Sequence, residues 1–81
     1  MIIVVEYSKG DDGYEVYTSV NLDHPDLAKY IADAFDLSDE YTMPARVCVT
    51  TFDPADGCQI QCDLVSSKSQ IQKVIKGLKD A

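Results

Sequence analysis

Apolar and polar residues recur along this chain with two different periods, and the periods divide it into six elements. Residues 1–8, MIIVVEYS, form a β-rich run, and residues 13–20, GYEVYTSV, alternate with period two. Between them Lys9-Gly10-Asp11-Asp12-Gly13 is dense in turn formers, so the two runs predict a hairpin. From Asp23 to Glu40 the period changes. Leu27, Tyr30, Ile31, Ala34 and Phe35 fall at i, i+3, i+4, i+7 and i+8, the stripe of an amphipathic helix with one face on a core. Asp23 stands where an N-cap belongs, and Pro25 falls in the first turn, where its missing N–H does no harm. Ser38 to Pro44 reads as a loop and Ala45 to Phe52 as a third strand. Asp53-Pro54-Ala55-Asp56-Gly57 is a second turn, with Pro and Gly at favoured corners. Cys58 to Val65 alternates again. Ser67 then caps a last helix, with Gln70 as its capping-box partner and Ile71, Val74, Ile75 and Leu78 as its stripe.

The six elements are two copies of one plan. Shifting the sequence by 44 residues superposes the halves without a gap. Asp12-Gly13 falls on Asp56-Gly57, Asp23 on Ser67, and Leu27, Tyr30, Ile31, Ala34 on Ile71, Val74, Ile75, Leu78. Five of the 32 positions from Val4 to Phe35 are identical, too few to prove common ancestry but enough to match turns, caps and stripes. The predicted fold class is therefore α+β: a ββαββα pseudo-two-fold repeat, with a four-stranded, mainly antiparallel sheet and both helices on one face. It is one domain over residues 1–81, with repeat units of about 1–40 and 41–81.

Regular pairing from these turns groups Ile3, Val5 and Tyr7 with Val16, Thr18 and Val20 beneath the helices. It sets Asp53 opposite Cys58 and adds Val47, Val49, Thr51, Ile60, Cys62 and Leu64 to the same face. A slip of one residue would exchange the faces. On the regular register the open face carries Ile2, Val4, Tyr17, Cys48 and Phe52 among polar groups, more apolar than a wetted sheet face usually is.

Charge changes the picture more than composition does. The chain carries −7 overall, from seven Lys plus Arg against 14 Asp plus Glu. Residues 1–65 hold −10 and residues 66–81 hold +3. Such a balance argues against direct nucleic-acid binding, which needs cations over phosphates. No apolar run reaches the roughly 18 residues of a membrane span, and no secretory signal follows Met1. The expected compartment is the cytoplasm.

Candidate chemistry is sparse. Cys58 and Cys62 lie about 13 Å apart along a strand, too far for a disulfide or a shared metal, so both read as small core residues. Cys48 could face Cys62 only if the second hairpin were shifted by one residue. His24 is the only histidine and reads as a surface residue of the capping region. The acids lack EF-hand spacing and the glycines sit in turns rather than in a phosphate-cradling loop. The expectation is a protein without catalytic residues, metal or cofactor.

What remains is the acid flank of the first helix. Asp26, Asp33 and Asp36 span roughly 15 Å along it, and Asp39 and Glu40 extend the row. Carboxylates spaced in this way attract grooves lined by Lys and Arg. In size, acidity and small α/β make-up the chain resembles the phage-encoded inhibitors of host defence, anti-CRISPR and anti-restriction proteins, several of which mimic DNA. The likeness is one of type, carried by no motif. It implies an inhibitor in the host cytoplasm that binds a basic, nucleic-acid-handling protein as a nucleic-acid mimic, with Asp26, Asp33, Asp36, Asp39 and Glu40 as the contact. The alternative expectation is a homodimeric interaction module joined through Val4, Tyr17 and Phe52 of the open sheet face.

Overall fold

The computed structural model describes residues 1–9, 13–38 and 46–80. Strands β1 (Ile2–Ser8) and β2 (Tyr14–Asn21) are followed by helix α1 (Leu27–Leu37), strands β3 (Val47–Phe52) and β4 (Gln59–Val65), and helix α2 (Ile71–Asp80). The sheet order is β2-β1-β3-β4, and every neighbouring pair is antiparallel. Each strand and α-helix of the second half begins and ends within one residue of its counterpart 44 positions earlier. Gly13 and Gly57, which are equivalent, both take the positive φ that their turns require.

Both helices feed one core. Leu27, Ile31, Ala34 and Phe35 of α1 and Ile71, Ile75 and Leu78 of α2 pack with Ile3, Val5, Val47, Val49 and Val65 of the sheet. Seven of these side chains are wholly enclosed, all of them Val or Ile except Ala34, and full burial of a Val or Ile stabilises by about 1.5–3 kcal/mol. The apolar stripes set by the 3.6-residue period are thus the surfaces that cover the sheet.

Two bulges alter the expected register. Val5 pairs with Thr18 but Glu6 pairs with Val16, leaving Tyr17 without a cross-strand partner. Thr51 pairs with Gln61 but Phe52 pairs with Gln59, leaving Ile60 unpaired in the same way. Beyond each bulge the faces are exchanged. Val16, Ile60, Cys62 and Leu64 therefore do not join the core, and Val65 enters it opposite Val47. Cys58 and Cys62 are both exposed, contrary to the expectation of core cysteines, while Cys48 is buried. Tyr17, the residue skipped in β2, turns its ring toward α1 and meets Tyr30 edge-on with centroids 6.3 Å apart.

The helix starts also differ in detail. Asp23 does not cap α1; it lies in a turn, and Asp26 occupies the N-cap position without a side-chain capping bond. The Asp26 N–H instead donates to His24 Nδ1 at 3.1 Å. Before α2, Lys68–Gln70 form a 3-10 turn, and Gln70 Oε1 reaches back to accept the Ser66 N–H at 2.9 Å. That is half of the expected capping box, displaced by one residue. Ser67 Oγ meets Ser69 Oγ rather than a backbone N–H.

Candidate functional site

Helix geometry carries the acid flank to the surface, because Asp26, Asp33 and Asp36 lie off the apolar stripe. Asp26 and Asp36 are exposed and Asp33 is half-buried. Asp39 and Glu40 lie outside the described residues.

The flank is not bare. Asp33 accepts a hydrogen bond from Tyr17 Oη at 3.4 Å and pairs with Lys29, one helical turn earlier, at 3.7 Å. Asp36 pairs with Lys68 Nζ at 2.7 Å, which ties the end of α1 to the 3-10 turn before α2. Burial, and then the neighbouring Asp33 charge, push the Tyr17 phenol above its ordinary value, so it stays a hydrogen-bond donor. Lys29 and Lys68 keep 71% and 55% of their side-chain surface in water. Ion pairs this exposed contribute about 0–1 kcal/mol each, so an incoming guanidinium can replace either lysine.

The sheet face away from the helices has a different character. Its rows, read from β2 across to β4, are Asn21–Ile2–Phe52–Gln59, Ser19–Val4–Thr50–Cys62 and Val16–Glu6–Cys48–Leu64. Val4 and Phe52 lie on this face as expected. Tyr17 does not: the bulge turns it to the helical side, where it contacts Tyr30 and Asp33. The same bulges carry Glu15, Gln61 and Asp63 off the open face and bring Val16, Cys62 and Leu64 onto it. Glu6 is the one charged residue left in these three rows. Val16 and Leu64 are 61% and 56% exposed at its rims, while Cys48 and Thr50 in its centre are screened by their neighbours.

Within those rows Cys48 and Cys62 are diagonal neighbours, and their Sγ atoms lie 2.8 Å apart. Thr50 Oγ1 is 3.5 Å from the first and 3.7 Å from the second. The regular register excludes this contact; a one-residue shift, supplied by the unpaired Ile60, brings the two together as diagonal neighbours rather than directly opposite.

A shallow cleft of about 560 Å³ is lined by Met1, Asn21, Leu22, Asp23 and Lys79. It brings one carboxylate and one ammonium together without a nucleophile. No group of three or more His, Cys, Asp or Glu among the described residues is placed to hold a metal. No helix among the described residues is long and apolar enough to cross a membrane. Comparison of the chain with protein-family profiles, with curated proteins and with solved structures finds no match.

Proposed function

We propose that this chain is a small, acidic, non-enzymatic binding protein that engages a larger basic partner. The observation that carries the reading is electrostatic. Internal ion pairs screen Asp33 and Asp36 locally but leave the net charge of −7 unchanged, and the cations gather toward α2. A field of that sign steers a basic surface from beyond contact distance. At contact, Asp26 is exposed, and Asp33 and Asp36 exchange weakly held lysines for those of the partner.

Mimicry of nucleic acid is the narrower form of the proposal, with a nucleic-acid-handling partner and an inhibitory outcome. It requires Lys29 and Lys68 to be displaced so that the carboxylates of Asp26, Asp33 and Asp36 face the partner. The test is capture from a host extract by wild type and by an Asp33→Lys, Asp36→Lys double variant, with low-salt and high-salt washes. The proposal expects proteins that the wild type holds only at low salt and the double variant does not hold. Capture indifferent to both salt and charge reversal would remove it.

The exchanged register favours a second reading, a homodimer joined through the open face. That face gains Val16 and Leu64 and keeps one charge in its three rows. Sedimentation should then give a mass near twice 9.0 kDa, and Val4→Lys or Phe52→Lys should return it to the monomer value. A wild-type chain that sediments as a monomer at all concentrations rules this reading out.

A further inference from the structure

We propose that Cys48 and Cys62 form a redox modification site, a cross-strand dithiol that a low-molecular-weight disulfide converts to a reversible Cys48–Cys62 bridge. The inference goes beyond the binding reading and does not depend on it. It rests first on geometry. The β4 bulge at Ile60 brings Cys62 onto the open face beside Cys48, and the two sulfurs are already 2.8 Å apart. Bonding distance, about 2.05 Å, is under an ångström away. The adjustment falls on β4, an edge strand with a neighbour on one side only.

Exposure assigns the order of events. Cys62 is exposed and Cys48 is 9% exposed, so the incoming reagent meets Cys62. Burial and the Cys62 contact also push the Cys48 thiol up to about 11, which keeps it protonated while Cys62 reacts. In the first step the Cys62 thiolate attacks one sulfur of the reagent, forming a mixed disulfide and releasing one reagent thiol. In the second, the Cys48 thiol loses its proton and attacks the Cys62 sulfur, expelling the second reagent thiol. Two protein thiols are oxidised and one small disulfide is reduced to two thiols. Cys58 is a bystander. It is exposed, but it lies four positions before Cys62, about 13 Å of extended chain.

The bridge would staple the central strand β3 to the edge strand β4 and close the loop through the turn at Pro54–Gly57. It would also sit within the open face, beside Thr50, and stiffen the surface on which the dimer reading depends.

The test uses oxidised glutathione on the folded Cys58→Ser chain, followed by unfolding, alkylation and intact-mass measurement. Cys58 is exposed, so its replacement leaves the core untouched. The expected product has no alkylatable thiol and a mass about 2 Da below the reduced chain, the two hydrogens lost in forming the bridge. Cleavage after Phe52, which separates Cys48 from Cys62, should leave two fragments joined until dithiothreitol is added. Wild type should form the same bridge, with the exposed Cys58 left either as a free thiol or as its mixed disulfide with glutathione. A product carrying glutathione on Cys62 with Cys48 free would overturn the proposal, as would a product with both thiols still free.

Discussion

Val5 and Val49 face each other directly across the β1–β3 ladder, both wholly buried, and they are also equivalent positions 44 residues apart. A pair that is both cross-strand and repeat-equivalent marks the point through which the pseudo-two-fold axis passes. The two ββα halves therefore meet back to back at β1 and β3, with β2 and β4 as edges. Because the pair is symmetric, truncating either side chain should cost about the same. Val5→Ala and Val49→Ala are each expected to lose about 2 kcal/mol, from two methyl groups and the cavity they leave. The double variant should depart from additivity, because the side chains share that cavity. Chemical denaturation of the three variants checks both expectations.

The bulge in β2 makes a sharper prediction, because regular alternation says the reverse. Tyr17→Ala should destabilise by about 2 kcal/mol, since its ring packs on Tyr30 and its hydroxyl donates to Asp33. Val16→Ser should change stability by less than about 0.5 kcal/mol, because Val16 is 61% exposed. Unfolding midpoints in urea compare the two. A costly Val16→Ser beside a harmless Tyr17→Ala would restore the regular register.

These two residues also mark how far the sequence could be read. Turn formers and the 3.6-residue stripes located both hairpins and both helices, because those signals are local. The 44-residue repeat supplied the symmetric arrangement. The bulges left no local trace: GYEVYTSV alternates whether or not one residue is skipped. The choice is made by a tertiary contact, an aromatic ring that finds α1. The same holds for the acid flank. Helical spacing places Asp33 and Asp36 on the surface, but the lysine that meets Asp36 lies 32 residues further on. The regular register keeps Cys48 and Cys62 on opposite faces, and only the one-residue shift that Ile60 supplies brings them together.

Thr51 occupies the repeat position of Tyr7, and the two hydroxyls fare differently. Tyr7 Oη donates to Glu15 at 2.9 Å, whereas the buried Thr51 Oγ1 has no hydrogen-bond partner among the described residues. Thr51→Val removes that hydroxyl while keeping the branched shape. It is expected to stabilise the fold by about 1–2 kcal/mol, the cost of an unpaired buried hydroxyl. Thermal or urea unfolding measures it.

The Tyr7–Glu15 contact carries a pH signature. The Tyr7 hydrogen bond, with help from the Lys9 charge, holds the Glu15 carboxyl below its ordinary value near 4.5. A group depressed on folding contributes stability above its unfolded value and loses it as pH falls through the folded one. The hydrogen bond to Glu15 raises the Tyr7 phenol above 10.0, so its contribution is present below that value and lost as pH rises through the folded one. Tyr7→Phe should move the Glu15 titration, followed by carboxyl NMR, back toward 4.5. An unmoved titration would mean that the phenol does not reach the carboxylate.

The binding account rests on charge, and the salt dependence of affinity probes it most directly. For a partner captured from the extract, the dissociation constant of wild type should weaken steeply as ionic strength rises toward physiological values, where fields are screened within about 8 Å. The Asp33→Lys, Asp36→Lys variant should bind at least about tenfold more weakly at low salt, the equivalent of about 1.4 kcal/mol. An affinity that is flat across salt and unchanged by the two reversals would contradict the account.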